Sequence, residues 1–184
     1  MTELATVGQL RATFLRTALV TVPAVMLLGF LSGVLSNGGS SSPWFDALVK
    51  PAIYPPPATF GIVWTILYVL MGLAGALVFT AFGARGRGMA LALFVIQLAL
   101  NLAWSPLFFG AHQISAALLL LGVLDLVVIA TIVAFARVRP AAGWLMAPYL
   151  AWVLFATALT WQFLALNPAL DGVEWSGAVE RVEL

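Results

Sequence analysis

The chain has 184 residues, of which 63% are hydrophobic and 8% charged, with a formal net charge of +1. A soluble domain carries roughly a quarter charged residues, so this chain cannot cover itself with polar side chains and a water-soluble globular fold is excluded. Having no cysteine, it has no disulfide, thiolate nucleophile or Cys-based metal site. Without a basic cluster it also lacks the surface that binds nucleic acid.

Five apolar runs of about twenty residues predict an all-α integral membrane protein, a five-transmembrane-helix bundle. Each run is long enough to cross roughly 30 Å of hydrocarbon and is apolar on every face. The first, residues 17–35, follows Arg11 and Arg16. A basic start also suits a secretory signal, but the apolar part is long and Ser-Asn-Gly-Gly-Ser is a poor cleavage site. The run therefore reads as the first span, preceded by an N-terminal cytoplasmic segment, residues 1–16.

Residues 36–58 form the one long internal loop, bounded by Asn37-Gly38-Gly39 at its start and Pro55-Pro56-Pro57 near its end, punctuation that neither helix nor strand tolerates. Within it, residues 43–48 suit a short amphipathic turn lying at the membrane interface, where Trp44 would anchor. The second span covers residues 59–82 and the third 89–109, joined by the polar connector around Arg85 and Arg87. A turn at His112 leads to the fourth span, 114–136, and Arg137-Val138-Arg139-Pro140 to the fifth, 143–166. Residues 1–16 and 167–184 flank the domain formed by 17–166, and the acidic C-terminal stretch reads as a mobile tail. Six Lys and Arg residues on the N-terminal side of the membrane face two on the other. This bias places the N-terminus in the cytoplasm and the C-terminus outside.

Polar groups inside the spans mark the candidate interior. An ionised Asp at a helix centre costs about 2.5 to 3.5 kcal/mol, so Asp125 in the fourth span should face protein, either as a structural carboxyl bonded to a neighbouring helix or in ligand or proton handling. In the third span Gln97, Asn101, Trp104, Ser105 and Phe108 share one face, and Pro106 should kink the helix beside it. Tyr149, Trp152, Ala156 and Thr160 share a face of the fifth span, and Trp64 and Tyr68 lie one turn apart in the second. Trp64, Trp104 and Trp152 suit either a stacking pocket for a flat aromatic ligand or plain bundle packing, whereas Trp44, Trp144 and Trp175 read as interface anchors. Gly29 and Gly33 form a small-xxx-small pair for close helix contact, within the bundle or across a dimer. His112 reads as a solvated loop residue. One His and one buried acid assemble no Ser-His-Asp or paired-carboxylate set, and no metal-binding cluster is visible.

Four blocks, in order, resemble the TspO/MBR family of tryptophan-rich sensory proteins, whose animal members are the translocator protein or peripheral benzodiazepine receptor. They are Trp44-Phe45-Asp46-Ala47-Leu48-Val49-Lys50-Pro51; Pro55-Pro56 leading to Phe60 and Trp64-Thr65-Ile66-Leu67-Tyr68; Asn101-Leu102-Ala103-Trp104-Ser105-Pro106-Leu107-Phe108-Phe109; and Pro148-Tyr149-Leu150-Ala151-Trp152. The resemblance spans residues 30–167. It implies a bacterial member, a homodimer in the cytoplasmic membrane, surrounded by lipid, with no obligatory cofactor and a pocket under the first loop for porphyrins such as protoporphyrin IX or haem. It further implies that Trp64 and Asn101 contact ligand, that Trp104, Ser105, Tyr149, Trp152 and Ala156 form the wall, and that a lid is fixed by Pro55 and Pro56. Asp125 falls where some bacterial members carry an acid.

Two departures bear on that pocket. Ile53 stands where the family commonly has Trp, which weakens stacking from the lid, and Thr160 stands where it commonly has Asn. After the fifth span no Tyr is followed closely by a basic residue, so the proposed cholesterol-recognition pattern is absent there. The leading expectation is a sensor or carrier for porphyrin-like or other flat hydrophobic molecules. The alternatives are an enzyme of oxidative or light-dependent porphyrin breakdown, for which no conventional catalytic set is visible, and a lipid-filled regulatory scaffold. No repeated halves or interrupted helix pair mark an alternating-access transporter.

Overall fold

The computed structural model describes residues 6–36 and 42–173. Among these described residues five helices are long and apolar enough to cross a membrane: α1 (Val7–Val34), α3 (Pro57–Phe79), α4 (Arg87–Ser105, continued by a π-helical turn at Pro106–Gly110), α5 (Ile114–Val138) and α6 (Pro140–Leu166). A short helix, α2 (Pro43–Ala47), lies in the first loop, and a single 3-10 turn, Pro168–Leu170, follows α6.

Helix α1 starts at Val7, well ahead of the expected residue 17, because Thr6 and Gln9 form a capping box. Thr6 Oγ1 accepts from the Gln9 amide at 3.2 Å, and Gln9 Oε1 accepts from the Thr6 amide at 2.8 Å. Thr followed three positions on by Gln is a helix start that apolar length overlooks. At about 1.5 Å per residue its 28 residues outrun the hydrocarbon, which lets the turns bearing Arg11 and Arg16 stand in the headgroups. Between α3 and α4 the chain reverses through Gly83 (φ 76°) and Gly86 (φ 80°), left-handed positions that favour glycine. Arg87 Nη2 then donates to the Phe79 carbonyl at 2.7 Å, satisfying a free acceptor at the end of α3. At Pro106, which lacks the amide for a regular turn, α4 passes into a π-helical turn in which the Ala111 amide reaches the Pro106 carbonyl at 2.9 Å.

The helices form a ring in which α1 packs on α3, α3 on α6, α6 on α5 and α5 on α4, with a thinner contact from α4 back to α1. Backbones approach closely where side chains vanish. A Cβ on Gly72 would lie 2.6 Å from Val22 Cα, and one on Gly143 would lie 2.8 Å from Ala136 Cβ. Thr21 Oγ1 also donates to the Gly72 carbonyl at 2.9 Å, the small-residue and hydroxyl packing that joins helices where lipid supplies no hydrophobic drive. Large apolar side chains such as Leu19, Leu119, Leu126 and Trp144 face outward, towards lipid.

One apolar core, including Met71, Phe94, Val128, Phe135 and Met146, fills the bundle at the end away from the first loop. A second, built on Trp44, Phe45, Phe108, Ile114 and Phe163, joins that loop to the tops of α5 and α6. The second core corrects two expectations. Trp44 is fully buried and is no interface anchor: its indole stacks on His112 with ring centroids 4.6 Å apart, and its Nε1 donates to the Leu170 carbonyl at 3.2 Å. His112, partly exposed in its turn and held at φ 57°, also serves as a seat for Trp44. Residues 167–173 are likewise docked, since the Ser115 amide donates to Asp171 Oδ1 at 3.1 Å and the Gly172 amide to the His112 carbonyl at 2.8 Å. The rest of the acidic tail, with Trp175, and the loop positions 37–41 lie outside the described residues.

A candidate ligand pocket beneath the first loop

Between the lid-side halves of the helices lies a cavity of about 480 Å³, within the range of small-molecule sites. Helix α3 contributes Phe60, Trp64 and Tyr68 at spacings of four, which keep them on one face. Trp64 and Tyr68 stack at 5.1 Å, and Tyr68 donates its hydroxyl to Asn101 Oδ1 on α4 at 3.2 Å. This pair is a satisfied polar spot in an otherwise aromatic wall, and a buried amide needs such a partner.

From α4 come Asn101, Trp104 and Ser105. Trp104 lies nearly parallel to Phe108, with centroids 5.1 Å apart, and its Nε1 is buried without a partner. Ser105 shares a hydroxyl–hydroxyl hydrogen bond of 2.8 Å with Ser36, tying the end of α1 to α4. Opposite, α6 supplies Trp152, edge-on to Phe60 at 5.8 Å, together with Ala156 and Thr160. Among the described residues, the wall contains no charged side chain, and no group of three His, Cys, Asp or Glu stands close enough to hold a metal ion.

Trp64, Tyr68, Asn101, Trp104 and Ser105 thus converge on one cavity with Trp152 and Ala156, as their helix faces predict. Five other candidates do not reach it. Tyr149 is fully buried beside Trp64, with centroids 6.4 Å apart, and does not line the cavity. Asp125 lies between α5 and α6, where Thr157 Oγ1 donates to its Oδ2 at 2.9 Å, which is the structural alternative. Ile53 points outward at 42% exposure. Pro55 and Pro56 shape the return of the loop without touching the cavity, and Tyr54, just before them, enters it.

Tyr54 contacts Phe60 at 5.6 Å and Phe163 at 5.8 Å, and burial raises its phenol above the ordinary value of 10.0, so it stays neutral. An aromatic directly before the Pro-Pro pair was the available signal for it. Thr160, Phe45 and Phe163 also line the cavity, as do Gly29 and Gly33. A Cβ on Gly29 would lie 2.2 Å from the Tyr68 ring. Gly29 therefore packs against α3 within the bundle, whereas Gly33 is exposed and a Cβ there would meet nothing within 4 Å.

The lid is pinned at its α2 end. Asn167, the residue after α6, accepts from the Val49 amide at 2.7 Å through Oδ1 and donates to the Val49 carbonyl at 3.0 Å through Nδ2. Lys50 donates its ammonium to the Phe45 and Asp46 carbonyls, satisfying acceptors at the end of α2.

The TspO/MBR family profile matches residues 20–166. The chain is 39% identical over 153 residues to the tryptophan-rich protein TspO of Chlorobaculum tepidum, covering 83% of this chain and 96% of that protein. It is 42% identical over 124 residues to a tryptophan-rich sensory protein of Cereibacter sphaeroides, covering 67% and 77%. It is also 40% identical over 136 residues to the human translocator protein, covering 73% and 80%. With five spanning helices, an aromatic cavity beneath the first loop and a family match over most of its length, the chain belongs to the TspO/MBR family of integral membrane proteins.

Proposed function

We propose that this protein is a membrane sensor or carrier that binds flat, hydrophobic, tetrapyrrole-like molecules in the pocket beneath the first loop. The observation that carries the reading is the wall itself: Trp64, Trp104 and Trp152 stand on three different helices around one cavity with the Tyr68–Asn101 pair between them. Aromatic faces at such spacing favour stacking on a planar ring system, while the Asn101 amide suits a few polar atoms on it. Without charge in the wall, the carboxylates of a porphyrin would stay outside it. The names of relatives, sensory protein and translocator protein, fit a binding role.

The lid side faces outward from a bacterial cytoplasmic membrane in this reading, because Arg85, Arg87, Arg137 and Arg139 cluster at the opposite end. Titration of purified protein with protoporphyrin IX, followed by Trp fluorescence, tests the reading. Saturable quenching that is lost in the Trp64→Ala, Asn101→Ala double variant is expected, and quenching unaltered by those substitutions would refute the pocket. Native bilayer lipid that porphyrin fails to displace would favour the lipid-filled scaffold instead.

A further inference from the structure

Two routes lead towards the pocket, one across the lid from water and one sideways from lipid, and they differ in how firmly they are closed. On the lid side Trp44, Phe45 and Leu48 are 0%, 4% and 3% exposed. Asn167 grips both backbone groups of Val49, and Leu170 accepts from the Trp44 indole. Opening this side breaks a packed aromatic core together with three hydrogen bonds, each of which leaves a buried polar group to be satisfied elsewhere.

The sideways route is different. Among the described residues, the pocket-lining side chains that are exposed are Phe30 and Gly33 on α1 and Pro57, Gly61 and Thr65 on α3. Lower down these helices are in tight contact, with Gly72 against Val22 and Gly29 against Tyr68, whereas a Cβ added at Gly33 or Gly61 would meet nothing within 4 Å. The helices therefore part above Tyr68 and leave a gap edged by two glycines. Phe30, at its rim, is 70% exposed, and Thr65 donates its hydroxyl to the Gly61 carbonyl within its own helix at 2.7 Å. No hydroxyl on the rim is left needing water, so the rim suits contact with acyl chains.

We propose that ligand reaches the pocket from the lid-side leaflet of the bilayer, through a lateral port between α1 and α3 framed by Gly33 and Gly61, and not across the lid. The molecules this selects are flat apolar compounds already dissolved in the membrane. The inference rests on the binding function proposed above.

The cysteine-free sequence makes the test direct. Gly33→Cys and Gly61→Cys place a small side chain in open space, and each thiol can then be capped with a bulky maleimide. In vesicles, with protoporphyrin IX as probe and stopped-flow Trp quenching as readout, capping is expected to slow association about tenfold, roughly 1.4 kcal/mol of barrier, and to slow dissociation as well. Loss of a binding contact would speed dissociation, so the two effects separate. Asn167→Ala, and the milder Trp44→Phe that removes only the indole donor, are expected to leave the association rate within about twofold. Association unaffected by the caps, or accelerated by Asn167→Ala, would overturn the port. If the unlabelled parent itself shows no saturable quenching, pocket and port fall together, whereas saturable quenching with unchanged rates in the capped variants overturns the port alone.

Discussion

Gly72 and Gly33 have the same side chain and opposite surroundings. Gly72 has Val22 backbone where a Cβ would go, and Gly33 has open space. Gly72→Ala is therefore expected to force α1 from α3 and to cost about 1–3 kcal/mol, the usual range for overpacking, seen as a lower thermal unfolding midpoint in detergent. Gly33→Ala should leave that midpoint unchanged. Asp125 gives a second contrast. Its contact with Thr157 lies off the cavity wall, so Thr157→Val is expected to lower stability by about 1–3 kcal/mol through the orphaned carboxyl oxygen. Asp125→Asn should leave the porphyrin quenching curve where it is, and a shifted curve would return Asp125 to the site. Sequence placed this acid correctly in the interior. It did not distinguish the two uses, because helical periodicity reports a direction and not which neighbour lies there.

At the scale of elements, the lid is the part least legible in advance. Apolar length and helix faces suffice for the five spans and for the convergence of Trp64, Asn101, Trp104 and Trp152, since those residues keep to a 3.6-residue period. The first loop has no such period. Trp44 next to Pro43 reads equally as an interface anchor, and its burial depends on His112 and Leu170, remote in sequence and joined only by the docking of the segment after α6. Tyr149 shows the same limit inside a helix: it shares the face of Trp152 and Ala156, yet it is fully buried beside Trp64 and does not line the cavity. The Asn167 clasp implies that removing one side chain frees the lid selectively. In Asn167→Ala, hydrogen exchange is expected to rise for the amides of Trp44 to Lys50 while α3 and α5 stay protected. Uniform exchange across the chain would mean that the clasp supports the whole fold instead.

For the molecule as a whole, the ring of helices puts Arg11, Arg16, Arg85, Arg87, Arg137 and Arg139 at one end and the lid and pocket at the other. Orientation can be read from the absence of native cysteine. A single Cys at the exposed position of Ile53 is expected to react with a membrane-impermeant maleimide in intact spheroplasts, and one replacing Arg85 only after permeabilisation. The reverse pattern would turn the pocket towards the cytoplasm. The central claim, that three tryptophans on three helices and a lid tyrosine form one site for a planar hydrophobic ligand, is tested most directly by determining the structure with protoporphyrin IX bound. The expected result is the ring system between Trp64, Trp104 and Trp152, beneath Tyr54, with its carboxylates outside the uncharged wall. Porphyrin held on the outer face of the bundle, with the cavity filled by lipid, would contradict it.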